Sequence, residues 1–445
     1  MIRIPGIATS PVGRRLEHAG RWALCGAVAA RALALVSSVI VARLLGRETF
    51  GQLGIVSSTV AMFQVAGGFA LGLTASKHVA ELRESDPDRA GEIVGLTSGM
   101  AAVTGLLVAG ALLLAAPWLA EGVLASRALT PLLRIGALTL FFSAVNGAQE
   151  GSLRGFEAFR PQALVTFVAG LASPVVMVTA VLLGGAAGAL WGMVIVLALT
   201  SVLNRTALTR AARGAGARIR TRLRAADWRI LWLFSVPAVL SGLMVTPVTW
   251  ACHAMLVRHA DGYAQMGLFS AASQWRDAIL FIPTVLNGVF LPLLSSVPVE
   301  GGERRRLLTT SVLASGAVTA VAALGISVLS RPIMSSYGAG FAPGWAVLVL
   351  LAASGVFAAL ANAVAMAIAS AGRMWTTFGF NSLWAASLLA GSLLLVPNHG
   401  AAGLALATAL AYLLKAIAQG VFGVRLLRSP AGPLVPAPGG ELAAP

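Results

Sequence analysis

An arginine inside an apolar run is the first residue of this sequence with evident chemistry. Arg31 lies nine residues into the run 22–43, too deep for its guanidinium to reach water easily. A charge at the centre of a bilayer costs about 2.5–3.5 kcal/mol on insertion scales, so such residues normally face protein or water. A guanidinium holds phosphate oxygens through two parallel hydrogen bonds. Arg31 is therefore a candidate substrate contact, and the alternative is a structural partner for Asp277 or for backbone carbonyls.

A stripe of polar residues marks a second apolar run, 266–290. Its members lie at i, i+3, i+4 and i+7, on one face of a helix: Ser270, Ser273, Gln274 and Asp277. Arg276 is adjacent, and its side chain is long enough to reach the same face. A polar face on a membrane helix should line a wet lumen, although a helix-packing seam is the alternative. We predict substrate binding by Arg276, Gln274, Ser270 and Ser273, and either ion coupling or ion pairing by Asp277.

Three further positions within apolar runs have weaker chemistry. Lys415 lies in the run 401–424, where it is expected to contact a lipid head group or to pack inside its own lobe, with substrate contact as the alternative. Pro237 and Pro247 interrupt the run 230–252, and each removes a backbone hydrogen bond and permits a kink. The two prolines are therefore candidate hinges, with static curvature of the helix as the alternative.

The composition excludes a soluble globular protein. The chain is 58% hydrophobic and 11% charged, whereas a soluble domain carries about 25% charged residues. The net charge of +16 would suggest nucleic acid in a soluble chain, but here the basic residues lie between apolar runs, as topology determinants do. The two cysteines and five histidines have no disulfide, metal-ligand or catalytic spacing. We expect a polytopic membrane protein that binds no nucleic acid, holds no metal and is not an enzyme.

The apolar runs predict an all-α fold with twelve membrane spans. A helix needs about 20 apolar residues to cross a bilayer. Twelve runs qualify: 22–43, 52–75, 93–116, 131–150, 162–183, 186–204, 230–252, 266–290, 308–330, 345–370, 376–396 and 401–424. We predict an N-lobe at 22–204 and a C-lobe at 230–424, with six spans each. The remaining segments are a cytoplasmic lead-in at 1–21, a basic cytoplasmic linker at 205–229 and a disordered cytoplasmic tail at 425–445.

The basic residues predict the orientation of the spans. With the N-terminus in the cytoplasm, 23 of the 32 Lys and Arg residues fall on the cytoplasmic side, six fall outside and three lie within spans. Cytoplasmic segments of membrane proteins carry such an excess of Lys and Arg. Both termini are therefore expected to be cytoplasmic.

Short motifs recur about 215 residues apart. The matched stretches are Arg43 with Arg258, "GGAAGAL" (184–190) with "HGAAGLA" (399–405), and, at an offset of 213, Gln52-Leu53-Gly54 with Gln265-Met266-Gly267. Because six is an even number, two copies of a six-span unit run the same way through the membrane. The repeat predicts two parallel lobes related by an axis along the membrane normal, with a cavity between them.

Three stretches of the chain carry a family likeness: "VARLLGRETFGQLG" (41–54), "YAQMGLFSAASQWRDAILFIPTVLNGVFLPLLS" (263–295) and "GSLRGFEAFR" (151–160). They resemble the polysaccharide-transporter branch of the multidrug/oligosaccharidyl-lipid/polysaccharide exporter superfamily. The resemblance implies a V-shaped fold in which the first two helices of each lobe line the cavity. It also implies a Wzx-type flippase, which moves an undecaprenyl-diphosphate-linked oligosaccharide across the bacterial inner membrane by alternating access, for surface polysaccharide biosynthesis.

On this resemblance the partners are a lipid-linked oligosaccharide, membrane lipids and glycan-assembly proteins. The protein is expected to be a monomer in the inner membrane. No cofactor is expected, and Na⁺, H⁺ and the membrane potential stay open as energy sources.

Two other transporters of the same superfamily remain as alternatives. A lipid II flippase handles a similar anionic diphosphate but usually carries further C-terminal spans. A cation-coupled multidrug antiporter needs buried carboxylates, and of the 16 acidic residues only Asp277 lies deep in a span. A lumen with more arginine than carboxylate also repels cationic drugs. The enzymatic alternative, a membrane glycosyltransferase or polymerase, usually has a large periplasmic loop that this chain lacks.

Overall fold

The computed structural model describes residues 11–67, 69–220, 245–259, 261–296, 302–370 and 374–428. This part of the chain forms eleven α-helices: α1 (Pro11–Gly67), α2 (Phe69–Leu82), α3 (Pro87–Trp118), α4 (Leu129–Gly155), α5 (Phe159–Gly214), α6 (Thr246–Val257), α7 (Gly262–Ser296), α8 (Gly302–Val328), α9 (Ser330–Ser336), α10 (Trp345–Ser370) and α11 (Met374–Arg428). A π-helical turn (Leu119–Val123) follows α3, and a 3₁₀ turn (Ala339–Gly344) precedes α10.

The described helices include six that are long and apolar enough to cross a membrane. Two of these six, α5 and α11, each contain two of the predicted spans. The prediction of an all-α polytopic membrane protein is confirmed. The count of twelve spans stays a prediction, because most of the seventh span and its Pro237 fall in 221–244, outside the described residues.

The longest helices are broken at positions that the internal repeat relates. α5 breaks at Gly185 (φ 55°, ψ −132°), and α11 breaks 215 residues later at Gly400 (φ 53°, ψ −127°). α1 breaks at Gly46 (φ 75°), and Asp261, again 215 residues later, has φ 56°. Left-handed backbone favours glycine and is tolerated by aspartate. The same unusual backbone at the same offset supports two copies of one six-span unit.

The chain reverses direction at these breaks. A Cβ placed on Gly192 would lie 3.1 Å from the Cβ of Ala180, so the two halves of α5 pack against each other. In α11 a Cβ on Gly391 would lie 3.0 Å from the Cβ of Ala407. The 57 residues of α1 correspond to about 85 Å of helix, more than twice a bilayer's hydrocarbon core. We infer that α1 also turns back at Gly46, so that it supplies the first span and most of the second.

Two helix boundaries differ from the predicted domain limits. α1 begins at Pro11, inside the segment predicted as a lead-in, and α5 continues to Gly214, ten residues into the predicted linker. The linker residues in α5 include several alanines and arginines, which are good helix formers. The helix therefore continues through these positively charged residues. Beyond α5 the linker packs on α3, because a Cβ on Gly91 would lie 2.2 Å from the Arg218 carbonyl oxygen.

An ion pair outside the spans joins two loops of the N-lobe. The Arg83 guanidinium approaches Glu157 to 2.8 Å, and Glu157 has φ 54° in the turn after α4. The hydrogen bond from Arg83 lowers the pKa of the exposed Glu157 carboxyl. The pair thereby holds the end of α2 beside the end of α4 at neutral pH.

Backbone contact between glycines positions the second and fourth spans. A Cβ on Gly151 would lie 2.0 Å from the Gly72 carbonyl oxygen, and a Cβ on Gly72 would lie 2.5 Å from the Gly147 carbonyl oxygen. Small residues at membrane helix interfaces permit this close approach. Gly151→Val is therefore expected to destabilise the protein by about 1–3 kcal/mol, because main chain cannot yield to the new side chain.

The thermal unfolding midpoint in detergent measures this effect. Gly110→Val serves as the control, since a Cβ at Gly110 meets nothing within 4 Å. An equal midpoint for both variants would contradict the glycine contact.

Candidate functional site

The two copies of the repeated motif contact each other and close one end of the bundle. A Cβ on Gly51 would lie 1.8 Å from the Tyr263 carbonyl oxygen, and a Cβ on Gly267 would lie 2.0 Å from the Arg47 carbonyl oxygen. The two contacts are approximately related by the repeat. In the first, the glycine belongs to the first copy of the motif and the carbonyl oxygen to the second copy, and in the other contact these roles are reversed. We call this region the closed end; it comprises residues 47–59 of α1, and residues 250–259 and 261–270, which include the end of α6 and the start of α7.

Hydrogen bonds between the lobes reinforce the closed end. The Ser58 hydroxyl lies 2.7 Å from Nδ1 of His253, and the Trp250 indole N–H donates to the Thr59 hydroxyl at 3.0 Å. Three further side chains donate hydrogen bonds to backbone carbonyl oxygens of the other lobe: Arg43 to Ser336, Arg258 to Gly122 and Tyr263 to Leu124. The lobes are thus locked together by both glycine packing and polar contacts.

Arg31 lies on the first half of α1 and faces the C-lobe. One of its terminal nitrogens lies 3.4 Å from the backbone carbonyl oxygen of Gln274 on α7. Its Nε is buried and has no hydrogen-bond partner. Among the described residues, no carboxylate comes within 4.0 Å of the Arg31 guanidinium, although Arg31 and Asp277 interact electrostatically. Arg31 is therefore a cation at the interface of the lobes whose donors are incompletely used.

Arg276 has a different environment, inside the C-lobe. Its Nε donates to the Ser354 hydroxyl at 2.9 Å, and its guanidinium carbon lies 4.9 Å from the centre of the Tyr412 ring. A terminal nitrogen lies 3.9 Å from the Asp277 carboxylate. Three neighbours thus engage this guanidinium. The substrate-binding role predicted for Arg276 stays a prediction.

The polar stripe of α7 has two parts. Its first residue, Ser270, belongs to the closed end, because a Cβ on Gly54 would lie 3.2 Å from the Ser270 Cβ. Farther along, Gln274 and Ser273 are partly buried, and the Asp277 side chain is 58% exposed. The stripe therefore runs from the contact between the lobes toward Arg31 and an open carboxylate. The substrate-binding and ion-coupling roles predicted for these residues stay predictions.

The remaining predicted positions lie apart from Arg31. The Lys415 amine is buried within the hairpin of α11 and donates to the Asn381 side-chain oxygen at 2.8 Å, which agrees with packing inside its lobe. Pro247 lies in the first turn of α6, where a proline removes no helical hydrogen bond. The hinge role of Pro247 stays a prediction, as does that of Pro237.

Several residues of this region were not identified from the sequence. They are the neighbours of Arg276 (Ser354 and Tyr412) and the polar contacts between the lobes (Ser58, Thr59, Trp250 and His253). They are isolated residues or a short polar run (Ser57, Ser58 and Thr59) in apolar helices, without the periodicity of a polar face. The glycines of the repeated motif were the available signal, since glycine in a membrane span often marks a close helix contact.

Comparisons with known proteins agree with this architecture. The sequence model of the family described as "Polysaccharide biosynthesis protein" matches residues 20–297. The EPS I polysaccharide export inner membrane protein EpsE of Ralstonia nicotianae is 26% identical over 401 residues, covering 87% of this chain and 89% of EpsE.

Solved structures share the fold at low identity. The lipid II flippase MurJ in an inward closed conformation has a TM-score of 0.74 at 14% identity, covering 91% of this chain and 87% of MurJ. An inward-facing multidrug resistance MATE family transporter of the MOP superfamily has a TM-score of 0.69 at 13% identity, covering 89% of this chain and 94% of that one. The predictions of this transporter fold, and of a transporter rather than an enzyme, are confirmed. The chain belongs to the polysaccharide biosynthesis protein family.

Proposed function

We propose that this protein is a flippase for an anionic lipid-linked oligosaccharide, with undecaprenyl diphosphate as the lipid carrier. The observation that carries the proposal is the environment of the Arg31 guanidinium, which lies between the lobes. Its buried Nε has no hydrogen-bond partner, and a terminal nitrogen lies 3.4 Å from a backbone carbonyl oxygen, which is long for a hydrogen bond. A diphosphate offers the paired oxygen acceptors that such a guanidinium holds best.

The charges on α1 and α7 near the polar stripe favour an anionic substrate. Arg31 and Arg276 contribute two positive charges, and Asp277 contributes one negative charge. The net positive charge attracts a diphosphate and repels a cationic drug. This balance argues against a cation-coupled multidrug antiporter, whose ion site requires buried carboxylates. A lipid II flippase remains a second candidate because it would use the same diphosphate contact.

Transport by this fold requires the two lobes to alternate between two arrangements. In the arrangement described above, one end is closed by the repeated motifs, so the substrate enters from the opposite end. The similarity to EpsE supports an inner-membrane location and a role in surface polysaccharide biosynthesis. We propose a monomer that receives substrate from glycan-assembly proteins, driven by Na⁺, H⁺ or the membrane potential.

Transfer of a fluorescent lipid across a reconstituted vesicle tests the function. The probe is a short-chain polyprenyl diphosphate that carries a labelled oligosaccharide, and an impermeant quencher reports the leaflet in which the label lies. Protein-dependent transfer of this lipid is expected. Transfer of cationic dyes without transfer of the lipid would favour the antiporter.

The orientation has its own test, based on single cysteines in a background that lacks Cys25 and Cys252. In intact cells, cysteines at positions 215 and 435 should be shielded from an impermeant thiol reagent, because the positive-inside asymmetry places both in the cytoplasm. Cysteines at positions 126 and 260 should react. Labelling of position 215 from outside would reverse the proposed orientation.

A further inference from the structure

A cavity of about 330 Å³ lies within the N-lobe, apart from Arg31, the polar stripe and the closed end. It is lined by the second half of α1, by α2, α4 and the second half of α5. Half of its lining residues are polar: Gln64, Ser143, Asn146, Glu150, Arg154 and Thr200. Its volume lies at the lower end of the range for small-molecule sites, which suits one compact group rather than a long chain.

The charges of the cavity cancel. Glu150 and Arg154 approach each other to 3.9 Å across one helical turn, and their side chains are 40% and 48% exposed. A diphosphate would find no net positive charge here. A metal ion would find a single carboxylate, and a lipid tail would desolvate the polar groups. The cavity therefore suits a ligand that is neutral and polar.

The hydrogen-bonding groups of the cavity include both donors and acceptors. Gln64 offers an amide, and Ser143 and Thr200 offer hydroxyls. Asn146 donates to the Leu197 carbonyl oxygen at 3.0 Å, while its own side-chain oxygen is buried without a partner. A sugar ring presents several hydroxyls, each of which donates and accepts hydrogen bonds. Such a ligand matches this mixture better than a ligand with donors alone or acceptors alone.

One lining residue of the cavity, Gln64, lies at nearly the same depth as Arg31. Gln64 and Arg31 belong to the two halves of α1, 18 residues after and 15 residues before the break at Gly46. With a helical rise of 1.5 Å per residue, the depths of the two residues differ by about 5 Å. The first sugar of a lipid whose diphosphate is held at Arg31 would therefore lie at a depth close to that of Gln64, which lines the cavity.

We propose that this N-lobe cavity is a carbohydrate subsite that binds the sugar attached to the diphosphate. The inference rests on the proposed function and deepens it, because it assigns the diphosphate to Arg31 and the sugar to a separate neutral site. Recognition of the sugar by the N-lobe would let the protein distinguish glycosylated carrier lipid from the bare carrier that remains after glycan transfer.

Binding of two lipids to the purified protein in detergent tests this assignment. One probe is a short-chain polyprenyl diphosphate, and the other is the same lipid with a single hexose. Wild-type protein is expected to bind the glycosylated lipid about tenfold more tightly, since one or two hydrogen bonds to the sugar suffice for this ratio. Free hexose should not compete at the concentrations at which the glycosylated lipid saturates the protein.

Two variants locate the preference in the cavity. Gln64→Ala removes an exposed amide, and Ser143→Leu fills part of the volume. Both should bind the two lipids equally, with unchanged affinity for the bare diphosphate. Ser387→Leu is the matched control, because the exposed Ser387 hydroxyl only donates to the Leu383 carbonyl of its own helix. This control should keep the tenfold preference.

The outcomes separate this inference from the proposed function. Equal binding of both lipids by wild-type protein, or a preference that persists in both variants, would overturn the sugar subsite while leaving the diphosphate contact intact. Tight binding of free hexose in the absence of lipid would make the ligand a free sugar and also overturn it. If the protein binds neither lipid, the proposed function itself fails.

Discussion

Replacing Arg31 with alanine is expected to lower the rate of lipid-linked oligosaccharide transfer about 100-fold, and replacing it with lysine about tenfold. A hydrogen bond to a charged group contributes about 1.5–3 kcal/mol, and 1.4 kcal/mol corresponds to a factor of ten. Lysine keeps the positive charge but cannot form the planar, bidentate pair of hydrogen bonds, whereas alanine loses both the charge and the hydrogen bonds. The vesicle assay measures the rate directly. In cells, glycan should disappear from the surface while its lipid-linked precursor accumulates on the cytoplasmic side.

The alternative role of Arg31 is an ion pair with Asp277. In the described arrangement the two groups do not approach within 4.0 Å. If they pair in another arrangement, the double change of Arg31→Asn with Asp277→Asn should restore transport, because both partners of the pair leave together and neither charge stays unbalanced. A rescued double variant would contradict the phosphate contact. Arg134→Ala is the control, since this exposed arginine lies at the start of α4 and should have no effect on transfer.

Asp277→Asn alone separates two roles of the carboxylate. If Asp277 couples transport to an ion, the single change should abolish the Na⁺ or H⁺ dependence while substrate binding persists. If Asp277 balances the charge of Arg276, the change should instead lower the stability of the protein.

The sequence predicted the parts of the fold that depend on local pattern. Apolar runs of about 20 residues identify spans, and the repeat at 215 residues located the turns at Gly185 and Gly400, which share one unusual backbone conformation. Arg31 could be identified because a charge in an apolar run is costly wherever the run packs.

Neighbours between distant helices could not be predicted in the same way. Arg276 is 78 residues from Ser354 along the chain, and nothing in the apolar helix that carries Ser354 indicates which side faces α7. The cavity of the N-lobe is a stronger case, because its six polar residues come from three helix segments that are distant along the chain. Such residues are unremarkable in each segment and form a site only after packing.

Locking the closed end with a disulfide is expected to stop transport. A Cβ on Gly54 would lie 3.2 Å from the Ser270 Cβ, close to the separation of about 3.5–4.5 Å in a disulfide. In a background without Cys25 and Cys252, Gly54→Cys with Ser270→Cys should crosslink the lobes on oxidation. Transfer of the lipid-linked oligosaccharide should fall in proportion to the crosslinked fraction and recover when the disulfide is reduced.

A second disulfide within one lobe provides the matched control. A Cβ on Gly391 would lie 3.0 Å from the Ala407 Cβ, and both residues belong to the hairpin of α11. Gly391→Cys with Ala407→Cys should therefore crosslink equally well without joining the lobes, and transfer should continue. If the protein crosslinked between Gly54→Cys and Ser270→Cys transports at the uncrosslinked rate, the closed end does not open during transport. In that case the repeated motifs would be a permanent joint between the lobes rather than a gate.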